Sequence, residues 1–130
     1  MSVELKYLAL TALLTASLWI PYVVCQVMTN GALSGENYVD PTPRAVPLWG
    51  QRANRAHLNA VEVFAPYAAL VLLVHVTGKE SAMTAFWAGA FFWFRLGHAI
   101  VYYFGVPFVR TLLFTLGFVA VCGLAWSALS

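Results

Sequence analysis

The sequence predicts an all-α fold, a bundle of four transmembrane helices running up, down, up and down. Three observations lead there. Hydrophobic residues make up 62% of the 130-residue chain and charged residues only 9%. Soluble domains carry about 25% charged residues, so this chain has too few charges to solvate a globular surface. Four separate runs each approach or exceed the roughly 20 mostly apolar residues that cross a bilayer. Turn residues separate the runs, and only one joint is longer than a few residues. The net charge of +2 is too small and too dispersed for a nucleic-acid surface.

The first span is expected over residues 5–28, with a kink at Pro21, whose ring removes a backbone donor. The opening Met1-Ser2-Val3-Glu4-Leu5-Lys6 carries one acid and one Lys, and no clean small-residue cleavage site follows the apolar run. It reads as a retained helix and not a cleaved signal. Residues 29–54 form the one sizeable polar loop, punctuated by Gly31, Gly35, Pro41, Pro43 and Pro47. Tyr38 and Trp49 in it suit an aromatic belt at the membrane surface.

The second span is expected over residues 55–76 and holds Glu62 and Pro66. Thr77-Gly78-Lys79-Glu80 makes a tight turn into the third span, 81–104, which is apolar at first and then carries Arg95 and His98. Gly105 ends it, and Pro107 opens the fourth span, 107–129, where a missing N–H costs nothing. Such short joints make consecutive helices antiparallel neighbours. Gly117, Ala120 and Gly123 suggest close helix packing on the fourth helix. The aromatic run Phe86, Trp87, Phe91, Phe92, Trp93 and Phe94 reads as core and lipid-facing packing. One end of the bundle holds Arg44, Arg52, Arg55 and Arg110, and the other holds Lys6 and Lys79. The positive-inside rule then makes the Arg-rich end cytoplasmic and puts both termini on the opposite side.

Ionisable residues inside a span are costly and are candidates for function. At about 100° per residue, Arg52, Arg55, Asn59 and Glu62 fall on one side of the second helix. Arg95, His98 and Tyr102, spaced by three and four, form a stripe on the third. Arg110 enters from the start of the fourth helix at the same level. Two readings of this constellation stay open. Glu62 and Arg95 could be a buried ion pair fixing helix register, with Asn59 an interhelical hydrogen bond. Alternatively, the cations, which outnumber the one carboxylate recognised within the spans, line a site for an anionic ligand. The second reading uses more of the residues and is the one we carry forward. His57 points away from the stripe, toward a neighbouring helix or a second subunit. His75 reads as an interfacial residue. Cys25 and Cys122 sit in apolar runs without metal-ligand spacing, so they read as small buried residues, and no metal is expected.

The string Arg52-x-x-Arg55-x-His57-x-Asn59-x-x-Glu62 resembles the signature of the membrane-associated proteins in eicosanoid and glutathione metabolism (MAPEG), which include the microsomal glutathione transferases and the microsomal prostaglandin and leukotriene synthases. Arg95-x-x-His98-x-x-x-Tyr102 is similar to the prostaglandin synthase pattern. The resemblance spans the whole chain, which by its length is closest to the bacterial branch. It implies a homotrimer in the inner membrane, with glutathione bound between subunits near the cytoplasmic face. It implies glutathione contacts for Arg55, Asn59, Glu62, His98 and Tyr102, and a thiol-activating role for Arg110. Arg52 and Arg95 add forked donors suited to the carboxylates of glutathione. The sequence departs from some members in having no arginine in the first helix and Leu58 where others place a base. The expected function is a glutathione-dependent transferase or peroxidase acting on hydrophobic electrophiles or lipid hydroperoxides. The alternatives are a non-catalytic scaffold or lipid-binding protein of the same fold and, further off, a small multidrug exporter, whose cationic cargo the arginines would repel.

Overall fold

A computed structural model describes residues 1–31, 39, 42 and 44–130. Gly35, Tyr38, Pro41 and Pro43, read above as loop and belt residues, lie outside that set. The described elements are all helical: α1 (Val3–Ser17), α2 (Trp19–Asn30), α3 (Leu48–Val76), α4 (Ala82–Tyr103) and α5 (Pro107–Leu129).

α1 and α2 together form one apolar rod, Val3–Asn30, but the helix is interrupted at Leu18 and not at Pro21 itself. A proline lacks the N–H that would bond the carbonyl four residues back, and its ring crowds that carbonyl. For Pro21 that residue is Ser17, where α1 ends. α3 starts at Leu48, seven residues before the expected start at residue 55. Pro47 stands at its N-cap, and the polar stretch Gln51 to Asn54 is helical although it reads as loop by hydropathy. Trp49 therefore belongs to the first turn of α3 and not to the loop. Serine and threonine fasten the start of α4: the Ser81 hydroxyl accepts from the Thr84 N–H, and the Thr84 hydroxyl accepts from the Ser81 N–H. Such a reciprocal cap satisfies two otherwise orphaned donors.

Three of these rods are long and apolar enough to cross a membrane: Val3–Asn30, Leu48–Val76 and Pro107–Leu129. α4 has the length, at 22 residues, but Arg95, His98 and its tryptophans dilute its hydropathy, so it does not join them on composition alone. α4 and α5 pack against each other most extensively. Gly123 lies so close under the Trp87 indole that a methyl there would overlap the ring, and Gly117 and Ala120 are buried on the same helix. The core comprises Tyr67, Val71, Ala88, Phe91, Ala120 and Leu124. In it Tyr67 stacks on Phe91 with centroids 4.0 Å apart, and its hydroxyl donates to the Ala88 carbonyl at 3.2 Å. Cys25 is buried as expected, but Cys122 is exposed, because it projects from the outer face of α5.

Candidate functional site

The N-terminal half of α3, the C-terminal half of α4 and the start of α5 converge at the Arg-rich end. Arg95 of α4 is only 4% exposed. Its Nη2 donates to Asn59 Oδ1 of α3 at 2.7 Å. The aliphatic stem passes over Gly117, where a Cβ would lie 3.7 Å from Arg95 Cδ, and the guanidinium carbon sits 6.0 Å from the Phe114 ring centre. A guanidinium has five N–H donors, and the Nε of Arg95 is enclosed with no acceptor among the described residues. The Glu62–Arg95 ion pair considered above does not form. Arg95 meets Asn59, one turn nearer the Arg-rich end, and Glu62 is exposed with no partner among the described residues. With α3 starting at Leu48, Glu62 lies 14 positions into the helix, about 21 Å along it, deeper than a start at residue 55 implies.

Next to Arg95 is an open cavity of about 260 Å³ lined by Asn59, His98, Tyr102, Arg110, Thr111 and Phe114. The three-and-four spacing on α4 sets the His98 ring edge-on to Tyr102 at 5.5 Å. Phe114 flanks His98 from α5 at 6.2 Å. Arg110, from the first turn of α5, lays its guanidinium carbon 4.9 Å from the Tyr102 ring centre, within the range of a cation–π contact. His98 is buried, and its Nδ1 has no partner among the described residues. Among the described residues no carboxylate lines the cavity. A cation held there without a counter-ion, beside an apolar wall, favours a small anion or a group that becomes one.

The structure thus brings together Asn59, His98, Tyr102 and Arg110, with Arg95 behind Asn59. It does not bring Arg52, Arg55 and Glu62 to the same place. Arg52 lies against the α4–α5 turn: a Cβ on Gly105 would stand 2.6 Å from its guanidinium carbon. Arg55 lines a second cavity in the neighbouring groove of α3, with Tyr22, Arg44 and Asn54. The reason is angular. The four α3 residues cover an arc of about 80° at 100° per residue, and α3 is wedged between α2 on one side and α4 and α5 on the other. The arc straddles two grooves. His57 is half-buried away from both, with its Nδ1 enclosed and unpartnered among the described residues.

The opposite end holds a polar cluster that the sequence reading missed. Glu4 is buried at 3% exposure and accepts a hydrogen bond from the buried Thr84 hydroxyl. An acid in the first turn of an N-terminal helix usually reads as a solvated partner of the helix dipole, so nothing local signalled its burial. Nearby, Lys79 Nζ donates to the Ala128 carbonyl at 2.7 Å, and His75 Nδ1 lies 2.8 Å from Glu80 Oε1. The Ser2 hydroxyl and then His75 hold the Glu80 carboxyl below its usual range.

Among the described residues no group of His, Cys, Asp or Glu is placed to hold a metal ion. The family profile described as MAPEG family matches residues 5–130. A comparison with curated proteins finds no match.

Proposed function

The chain belongs to the MAPEG family, and from that premise we propose that it is a glutathione-dependent transferase or peroxidase of the membrane. In this reading α4 is a fourth span. It is as long as a bilayer needs, packs along both α3 and α5, and turns its charged residue inward. The Arg-rich end faces the cytoplasm by the positive-inside rule, and both termini lie on the other side.

The observation that carries the reading is the cavity in which Arg110 is seated on Tyr102, with no carboxylate among the described residues that line it. A free thiol has a pKa of about 8.5, so little is ionised at neutral pH. A guanidinium beside the sulfur stabilises the thiolate, and the proton leaves to water. The thiolate then attacks an electrophilic carbon: an S–C bond forms as the leaving group departs or a strained ring opens. With a lipid hydroperoxide the thiolate attacks the terminal oxygen. The O–O bond breaks, the lipid leaves as an alcohol after taking a proton, and the sulfenic acid is reduced by a second glutathione to disulfide and water. Asn59, fixed by Arg95, and His98, with its free Nδ1, supply polar contacts to the peptide. Phe114 also borders a small apolar slot with Val63, Pro66 and Phe118, which gives a hydrophobic substrate a way in from the lipid.

At about 260 Å³ the cavity is smaller than the roughly 300–1,000 Å³ usual for ligand sites. A second copy of the chain packed on this face, as in a homotrimer, would close it and bring the exposed Glu62 carboxylate within reach of the glutathione ammonium. Ultraviolet difference absorbance on adding glutathione to the detergent-solubilised protein tests the chemistry. Wild type should show thiolate at neutral pH, Arg110→Lys a weaker signal and Arg110→Ala none. Absence of a thiolate signal in wild type, with glutathione binding shown by calorimetry, would leave a binding protein without catalysis. Absence of binding as well would return the fold to a membrane scaffold or lipid binder.

A further inference from the structure

At the end away from the Arg-rich site, side chains from several helices meet on the turn 77–80 between α3 and α4. Lys79 Nζ donates to the Ala128 carbonyl in the last turn of α5 at 2.7 Å. Glu80 Oε1 lies 2.8 Å from His75 Nδ1 in the last turn of α3. The Glu80 carboxylate also accepts from the hydroxyl of Ser2, the N-cap of α1. That hydroxyl in turn accepts from the Leu5 N–H at 3.3 Å. Ser2 therefore joins the first turn of α1 to the α3–α4 turn. Within that first turn, Glu4 is buried and takes the Thr84 hydroxyl.

The groups around the Glu80 carboxylate come from every neighbouring element. α3 brings His75. α1 brings Ser2 and, more weakly, the amino group of Met1. Glu4 of α1 is engaged by Thr84, and the exposed Lys6 makes no ion pair among the described residues. α4 brings Ser81 and Thr84, which bond each other. The last turn of α5, Trp126 to Leu129, has no titratable side chain, and Lys79 is bound to Ala128. Both links to Glu80 gain from its negative charge, because hydrogen bonds to an ionised carboxylate are about twice as strong as neutral ones. A histidine Nδ1 can donate from the imidazolium or from one neutral tautomer, so loss of the His75 charge weakens its link without breaking it. The carboxyl is the deciding group. Ser2 first, and then His75, hold it below its usual range. The contacts are thus complete above the unfolded value and are lost as pH falls through the folded one.

We propose that Glu80 is a proton-sensitive clasp, fastening the first turn of α1 to the α3–α4 turn and releasing it on acidification. Release of Ser2 loosens the turn in which Glu4 sits and lets water reach a carboxylate otherwise enclosed against Thr84. Glu80 is exposed in a joint between spans, so protons reach it from solution. On the orientation proposed above, they come from the side opposite the cytoplasm. The inference stands apart from the glutathione reading, because none of these residues lines the cavity at the Arg-rich end.

The test is the mobility of a nitroxide on Val3→Cys, read by electron paramagnetic resonance on the full chain in detergent. Val3 is exposed in the first turn of α1. A Cys122→Ser background leaves only the buried Cys25 as a competing thiol. The label should move faster by roughly twofold or more as pH falls from about 7 to about 3, as a released helix end does. Glu80→Gln should be mobile already at neutral pH and indifferent to acid. Ser2→Asp keeps an N-cap acceptor for α1 but sets a second carboxylate against Glu80, so it too should be mobile at neutral pH. A control label on the exposed Met83→Cys, in the first turn of α4, should stay unchanged throughout, which separates opening of the clasp from unfolding. Should Glu80→Gln loosen both labels, Ser2→Asp decides, since it leaves the α3–α4 turn intact. A first turn equally ordered at both pH values would overturn the proposal. So would loosening on acidification to the same degree in Glu80→Gln, which would make Glu4 the titrating group.

Discussion

Replacing Asn59 with alanine removes the one side-chain acceptor that Arg95 has among the described residues. Neutral interhelical hydrogen bonds in membranes are worth about 0.6 kcal/mol on average and at most about 1.7. Here the donor is a guanidinium, 4% exposed, and the bond is 2.7 Å long. Charge assistance roughly doubles such a bond, and a buried charged donor left without an acceptor adds its own desolvation penalty. Asn59→Ala is therefore expected to destabilise the fold by about 2 kcal/mol, near a thirtyfold shift in the unfolding equilibrium. Arg95→Met removes the donor as well and leaves an apolar side chain of similar length. In the double variant the loss of Asn59 should then cost less than about 0.5 kcal/mol. Reversible unfolding from dodecylmaltoside into sodium dodecyl sulfate measures all four corners of the cycle. If Asn59→Ala loses as much in the Arg95→Met background as in wild type, the hydrogen bond is not what joins these helices, and the case for Arg95 as a fixing residue fails.

Gly78 and Gly105 both have φ near +70°, so alanine at either should cost roughly 1–2 kcal/mol for the left-handed backbone. Gly105→Ala should cost about 0.5–1 kcal/mol more, because it pushes the Arg52 guanidinium off its rotamer while Gly78 has nothing within 4 Å; Arg52→Ala should erase the excess in the same unfolding assay. Thr84→Val leaves the buried Glu4 carboxylate without its hydroxyl donor and breaks the cap of α4, for a loss of about 2 kcal/mol or more, whereas Thr84→Ser should stay close to wild type. The Glu80 carboxyl titrates lower in the folded protein than in the unfolded chain. Its contribution is thus complete above the unfolded pKa and is lost as pH falls through the folded value. An NMR titration of Glu80 should show a midpoint below 4.5 that moves up in Ser2→Ala, and an unmoved midpoint would remove Ser2 as the main cause.

Much of the polar site was legible because helical spacing is a local property. His98 and Tyr102 four apart, with Arg95 three before, had to share a face of α4 whatever surrounded them. Pro107 and Gly105 fixed where α4 ends and α5 begins, which set Arg110 at the level of Tyr102. The start of α3 was not legible. Gln51 and Asn54 read as loop because hydropathy measures fitness for lipid, and a helix that projects past the apolar layer has no such signature. That same error put Glu62 too near the helix start. Glu4 gave no signal at all, since its burial depends on Thr84, 80 positions away.

By itself the sequence determined the class of environment, the helical rods and the family, because composition, apolar run length and motif spacing are properties of a chain before it folds. Only the tertiary structure decided which groove each polar side chain enters. An arc of four residues on α3 is continuous along the helix, yet packing against α2 on one flank and α4 and α5 on the other divides it. Asn59 goes to Arg95 and the Tyr102–Arg110 cavity, Arg55 to the cleft it shares with Arg44, and Glu62 to the outer surface. Helical periodicity fixes the angles between side chains, but not the rotation of the helix against its neighbours. That rotation is set by burial of the small residues Ala53, Ala56 and Ala60 on the adjoining face, about 110° around the helix.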